Sequence, residues 1–114
     1  MEFANYQELE EWFTSRTRRT DMASVFSYLE TCVETEAQDL VEQELKTTER
    51  QRVTKKLENE CLADARETFV EEISGVLSNP EATPLHHWSV IGYRRKPAVW
   101  AIAAAIREQL KAEE

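Results

Sequence analysis

The residues best suited to bind another molecule form one short basic segment, Tyr93–Lys96, directly before Pro97. His86, His87 and Trp88 extend this basic and aromatic cluster, which is of a kind that contacts phosphate groups or the carboxylates of an acidic protein. The residues after Pro97 are apolar, whereas a helix that reads DNA bases carries polar side chains there. The segment therefore favours contact with a protein over contact with nucleic acid. A basic loop that pairs with an acidic part of the same or a second molecule is the plain alternative.

A second charged block lies earlier, where residues 30–44 contain six carboxylates and no basic residue. Basic side chains follow it at Lys46, Arg50, Arg52, Lys55 and Lys56. Blocks of one sign usually form the solvated face of a helix, and they also form contact surfaces for oppositely charged partners. This block is the second candidate for partner contact.

Aromatic side chains add a third candidate, because Trp12 and Phe13 are adjacent and must point to two faces of a helix. One of the two is expected to stay partly exposed, as aromatic residues at binding surfaces do. The residues predicted to contact a partner are Trp12, Glu30, Glu34, Asp39, Glu42, Tyr93, Arg94, Arg95 and Lys96.

Catalytic and metal chemistry find little support in the sequence. His86 and His87 are neighbours, so a helix would direct them about 100° apart and away from one shared ion. Neither a Glu-x-x-His pair nor a paired-cysteine zinc motif is present. No Gly-x-Ser-x-Gly elbow occurs, and the two glycines exclude a glycine-rich phosphate loop. We predict no catalytic residue, no cofactor and no metal site, although a small-molecule pocket beneath Trp88 and Trp100 stays open.

The elements that carry these residues are predicted by apolar spacing. Two ladders with steps of three and four residues, the helical period, mirror each other about Thr47. The first ladder consists of Met22, Phe26, Leu29, Val33, Ala37 and Leu40, and the second consists of Val53, Leu57, Cys61, Ala65, Phe69 and Ile73. This pattern predicts an antiparallel helical hairpin over about 21–77, with a turn at Lys46–Thr48 and a capping box from Thr48 to Gln51. One continuous helix that dimerises as a coiled coil is the alternative, because the turn lacks glycine and proline.

The same register places Cys32 almost opposite Cys61. Two hypotheses follow: a redox clasp that joins the arms, or two small buried residues, and the second is favoured because cysteine packs as a compact hydrophobe.

Shorter helices are predicted on either side of the hairpin. Asn5 and Glu8 predict a capped first helix. Later helices are expected over about 84–95, where a strand over 88–93 is the alternative, and over about 97–112. The fold class is therefore all-α, with four or five helices in a single domain over 1–114.

Composition limits the function. The chain of 114 residues carries 14 basic and 22 acidic residues, a net charge of −8, which disfavours nonspecific nucleic-acid binding. The N-terminus does not resemble a secretion signal, and two cysteines outside a secretory context are typical of reduced thiols, so the expected location is cytoplasmic.

We predict a small cytoplasmic protein that binds another protein as an adaptor, regulator or inhibitor. A related variant is an acidic rod that occupies the nucleic-acid-binding groove of its target. The alternatives are a nucleic-acid-binding module that uses 94–96 with Arg16, Arg18 and Arg19, and a structural subunit of a homodimer.

Overall fold

The computed structural model describes residues 2–16, 20–48, 52–78 and 96–114. Four helices lie in these ranges: α1 Tyr6–Thr14, α2 Thr20–Thr48, α3 Lys55–Ser78 and α4 Lys96–Ala112. The described residues contain no β-strand, so the predicted all-α class is confirmed. The helix predicted over about 84–95 and its strand alternative lie outside the described residues.

The first helix begins where the sequence predicts. The Asn5 side chain accepts a hydrogen bond from the Glu8 N–H at 3.0 Å, and the Glu8 carboxylate accepts one from the Ala4 N–H at 2.8 Å. The Asn5 bond satisfies a backbone donor that the first turn of a helix leaves without an internal partner, and the Glu8 bond reaches back to the residue before the N-cap.

The two long helices form the predicted hairpin. Residues 52–54 are not helical, and α2 and α3 pack against each other along their length, so the continuous-helix alternative is wrong. The direction is antiparallel, because Leu45 near the end of α2 lines one cavity with Glu58, whereas Cys32, farther from the turn on α2, lines another with Phe69, farther from the turn on α3. At 1.5 Å per residue, α2 is about 43 Å long and α3 about 36 Å.

The predicted turn at Lys46–Thr48 is wrong, because all three residues belong to α2. The Thr54 hydroxyl accepts a hydrogen bond from the Leu57 N–H at 3.1 Å, so Thr54 and not Thr48 is the N-cap of α3. Thr48 thus continues one helix instead of beginning the next. Because α2 ends at Thr48 and α3 begins at Lys55, each α2 residue faces a position about nine residues later in α3 than predicted.

This change of register separates the cysteines. Cys32 lines a cavity with Phe69, whereas the pKa of the Cys61 thiol is raised by burial, then by Asp64 and by Glu44, which places Cys61 near Glu44 of α2. Eight residues of helix separate Cys61 from Phe69, about 12 Å along α3. The prediction that the two cysteines lie opposite each other is therefore wrong, and both thiols are free.

The core lies at the open end of the hairpin, where all four helices meet. α1 and α4 pack against both long helices there. The fully buried side chains of this core are Leu9, Phe13, Leu29, Val33, Phe69, Val70, Ile73, Val76, Val99, Ile102 and Ile106. Replacing one large member by alanine costs about 2–5 kcal/mol of stability in typical cores.

Polar contacts attach the shorter segments to this core. The buried Ser74 hydroxyl accepts a hydrogen bond from the Phe3 N–H at 3.0 Å and fixes the segment before α1 to α3. The Arg107 guanidinium donates to the Val76 carbonyl in the last turn of α3, where helix carbonyls lack internal partners. Arg16 and Glu113 form a two-bond ion pair at 2.7 and 3.3 Å that joins the ends of α1 and α4.

The closed end of the hairpin projects beyond α1 and α4. Ala98 near the beginning of α4 lies level with Phe69, and Arg107 lies level with Val76, so α4 runs along only the last part of α3. The contact of α1 with α3 extends to Arg66, whose guanidinium lies 5.1 Å from the Tyr6 ring. We call residues 37–48 and 52–62 the hairpin tip. Asp39, at its inner end, still lines a cavity with Ala98 of α4, and beyond this point the two long helices extend past both α1 and α4.

We expect Thr54→Ala to lower the free energy of unfolding by about 1 kcal/mol, because it removes the N-cap of α3. Thr47→Ala is the matched control. It removes only an exposed bond from the Thr47 hydroxyl to the Gln43 carbonyl and should change stability by less than about 0.5 kcal/mol. Urea denaturation of both variants measures the difference, and equal stabilities would contradict the position of this turn.

Candidate functional site

The hairpin tip carries an open groove between α2 and α3 with a volume of about 510 Å³. Its floor is apolar and consists of Ala37, Val41, Leu45, Val53 and Leu62. Its rim is polar and consists of Glu34, Gln38, Glu42 and Glu58. We call these nine residues the tip groove.

Helical spacing produces this division into floor and rim. On α2, Ala37, Val41 and Leu45 recur every four residues and form one row, and the rim row from Glu34 to Glu42 recurs in the same way beside it. Side chains four apart lie on one face of a helix, so the two rows run parallel along the groove. Leu62 completes the floor from α3.

Most of the floor remains accessible because the buried seam between the helices uses other residues, whereas Ala37 at the inner end of the floor belongs to the buried core. Leu57 and Cys61 are buried at 3% and 7% exposure and fill the interface of the tip. Val53 is 44% exposed, and Val41, Leu45 and Leu62 are half-buried. A two-helix tip has no third layer to cover this side, so apolar surface stays at the solvent.

Carboxylates dominate the inner end of the groove, and Tyr6 of α1 reports their effect. Burial, followed by the negative charge of Glu30, raises the pKa of Tyr6 to about 12, with further contributions from Glu10 and Glu34. The Arg66 guanidinium over the Tyr6 ring acts in the opposite direction. Glu34 therefore belongs both to the groove rim and to the carboxylates around Tyr6.

Basic residues lie at the outer end of the groove. Lys46, Arg52, Lys55 and Lys56 are exposed at or beside the turn, within a few residues of the floor residues Leu45 and Val53. The groove thus runs from an acidic inner end to a basic outer end.

The structure divides the predicted acidic contact residues between two faces. Glu34 and Glu42 lie on the groove rim, and Glu30 lies on the same side of α2 near Tyr6. Asp39 instead lines a smaller cavity of about 160 Å³ on another face, together with Cys32 and Phe69. The acidic block is therefore not one continuous contact surface.

The predicted exposure of Trp12 or Phe13 is wrong, because both are buried, at 9% and 1% exposure. Phe3 covers Trp12 edge-on at 6.4 Å, and the Arg16 guanidinium lies 4.1 Å from the centre of its ring. Arg16 also donates to the Trp12 carbonyl at 2.8 Å. Both Trp12 and Arg16 thus hold α1 in place and offer a partner little surface.

Most of the predicted basic segment lies outside the described residues. Tyr93, Arg94 and Arg95 lie outside the described residues, as do His86, His87, Trp88, Arg18 and Arg19. Lys96 is the first residue of α4. Trp100 is half-buried and packs against the edge of the core.

The open floor of the groove was not predicted from the sequence. Val41 and Leu45 lie one step beside the predicted ladder, and Val53 was assigned to the packed interface. A second apolar row next to the core row was the available signal, since a helix that packs on one side needs only one such row.

The described residues give little support to thiol or metal chemistry. Burial raises the pKa of both cysteine thiols, which disfavours the reactive thiolate. No three metal-ligating side chains converge within the described ranges. A further cavity, formed by Tyr6, Gln7, Glu10, Glu11, Thr14 and Arg66, is lined by polar groups without an apolar floor.

Comparisons with protein-family models, with curated proteins and with solved structures find no match to this chain. Of the helices in the described ranges, none combines the length and hydrophobicity needed to cross a bilayer.

We expect Glu30→Gln to lower the pKa of Tyr6 below about 12, because Glu30 is the largest charged contribution to the shift. Glu71→Gln, at an exposed position on α3, is the control and should leave it unchanged. Titration of the Tyr6 ring signals by NMR measures both. Identical Tyr6 titrations in the two variants would contradict the proximity of Glu30.

The same shift predicts how stability depends on pH. The folded chain keeps the Tyr6 proton to about pH 12, whereas the unfolded chain releases it near 10. Stability from the neutral phenol is therefore complete below pH 10 and lost between pH 10 and 12. Thermal melts across this range should fall more steeply for the wild type than for Tyr6→Phe, and parallel curves would refute the shift.

Proposed function

We propose that this chain works by binding another protein through the tip groove, as an adaptor, regulator or inhibitor without catalytic activity of its own. The observation that carries the proposal is an apolar floor that stays open to solvent between carboxylate rims. Apolar surface of this kind, framed by polar residues, is typical of protein-binding sites.

Floor and rim would contribute differently to the binding of a partner. Covering Val41, Leu45, Val53 and Leu62 removes apolar area from water and supplies affinity at about 25 cal/mol per Å². Charged rim residues contribute mainly to the association rate and to the choice of partner. The partner surface should accordingly be apolar at its centre and basic at its edges.

The alternatives have less support. Carboxylates at the groove repel phosphate groups, and Arg16, one of the residues proposed for nucleic-acid contact, is already paired with Glu113. An intracellular, reducing compartment agrees with two free thiols that the hairpin register holds apart. We therefore retain a cytoplasmic location as part of the proposal.

Charge reversal on the rim tests this function. We expect Glu34→Lys with Glu42→Lys to weaken binding of the native partner at least about tenfold, because two attractive contacts become repulsive. The partner is first isolated from lysate of the source cell on immobilised wild-type chain, and its affinity for each variant is then measured. Both positions are exposed, so the melting temperature should change little.

The matched control carries Glu71→Lys and Glu108→Lys, two exposed positions outside the groove that give the same change in net charge. This control should bind the partner as the wild type does. Equal weakening by both double variants would mean that net charge and not the groove governs binding, and the proposal would fail.

A further inference from the structure

We propose that the tip groove holds a single basic amphipathic helix of the partner protein, whose N-terminal end points toward Glu34. This inference rests on the proposed function and names the kind of segment that the groove accepts.

The structure already shows a helix packed against the same pair of helices. Phe13 of α1 stacks on Phe26 of α2 with ring centres 5.4 Å apart, and Tyr6 of α1 lies under Arg66 of α3. Leu62 of the groove floor lies one turn before Arg66 on α3, on the same side. The groove therefore continues, toward the tip, the face that α1 covers nearer the core.

The dimensions of the floor suit a helix. From Ala37 to Leu45 the floor row extends about 12 Å. A helix that presents apolar side chains at positions i, i+3 or i+4, and i+7 covers a similar length of about 10.5 Å.

An extended peptide would fit this site poorly. Peptides that bind as strands gain their affinity from backbone hydrogen bonds to the edge of a sheet. The walls of the tip groove are the helices α2 and α3, whose backbone groups bond within each helix. A bound helix satisfies its own backbone groups and needs only side-chain contacts from the groove.

Carboxylates on both walls of the groove favour basic residues on either side of the apolar stripe of the bound helix. Glu34 and Glu42 stand on the α2 wall and Glu58 stands on the α3 wall, and all three are exposed. Lysine or arginine on either side of an apolar stripe would meet a carboxylate on each wall. This arrangement favours a basic amphipathic helix over a neutral or acidic one.

The charge difference between the two ends sets the direction. A helix carries partial positive charge at its N-terminus and partial negative charge at its C-terminus. Glu30 and Glu34 lie toward the inner end, where Arg66 offsets one of the two charges. Lys46, Lys55 and Lys56 lie toward the outer end, where Glu58 offsets one of the three. The favoured orientation directs the N-terminus inward and the C-terminus toward the basic turn.

Synthetic peptides test the proposal with the full-length chain. The probe is an end-blocked peptide of about 15 residues, long enough for marginal helicity, with one leucine stripe flanked by lysines. A proline version and a scrambled version have nearly the same composition but lack a continuous amphipathic helix. Fluorescence anisotropy at physiological salt should show the probe binding at least about tenfold more tightly than either control.

Groove variants separate failure of this inference from failure of the proposed function. Val41→Gln and Glu42→Lys should each weaken probe binding, and Glu71→Lys should not. If the proline and scrambled peptides bind as tightly as the probe and the same variants weaken them, the groove binds protein but not through a helix. If no groove variant changes the affinity of either the probe or the native partner, the groove is not a binding site and the proposed function fails as well.

Orientation is tested with the probe carrying a nitroxide label at its N-terminus or at its C-terminus. We expect the N-terminal label to broaden the methyl signal of Ala37 at the inner end of the groove most strongly, and the C-terminal label those of Leu45 and Val53 at the outer end. The reverse pattern, or equal broadening by both labels, would overturn the assigned direction.

Two other occupants have distinct signatures that would overturn the partner helix. A second copy of this chain would appear as a dimer in sedimentation at micromolar concentration and dissociate in the Glu42→Lys variant. If the basic segment Tyr93–Lys96 of the chain itself occupied the groove, it would exclude the probe. The probe would then bind only after Arg94→Glu and Arg95→Glu weaken that internal contact.

Discussion

The packing of α2 on α3 is the constraint on which the rest of this structure depends. Its register is fixed by the Thr54 cap at the turn and by the buried side chains at the open end, of which Leu29 and Phe69 are the largest on their arms. α1 and α4 are too short to follow the hairpin along its whole length, so they complete the core only at the open end. The core thus has four helices around it, and the tip has two.

This difference between the two ends creates the candidate site. Where a third or fourth helix is present, aromatic and aliphatic side chains such as Phe13 and Ile106 are removed from water. Where none is present, the equivalent face of α2 and α3 keeps Val41, Leu45 and Leu62 at the surface. Thus the core that stabilises the fold at one end implies exposed apolar surface at the other, and a partner segment can supply the missing layer.

The sequence predicted the helices well and the turn poorly, for physical reasons. Apolar residues spaced three or four positions apart identify a helix whatever it packs against, so both arms of the hairpin were predicted. Thr48 and Thr54 are both suitable N-caps, and without glycine or proline between them local propensity cannot choose. Tertiary packing selects Thr54 as the N-cap of α3. The resulting change of register separates Cys32 from Cys61 and leaves Val53 exposed instead of packed between the helices. The groove rim was partly predicted through Glu34 and Glu42, whereas the floor depends on which faces α1 and α4 leave uncovered, and only the folded chain shows this.

The most direct measurement of the central claim is methyl NMR of the full-length chain during titration with the basic amphipathic peptide. If the hairpin tip is the binding surface, the methyl signals of Val41, Leu45, Val53 and Leu62 will shift together, while those of Leu29, Ile73 and Ile106 in the core will stay in place. Shifts centred on residues of α1 or α4, with unchanged tip methyl groups, would contradict this account.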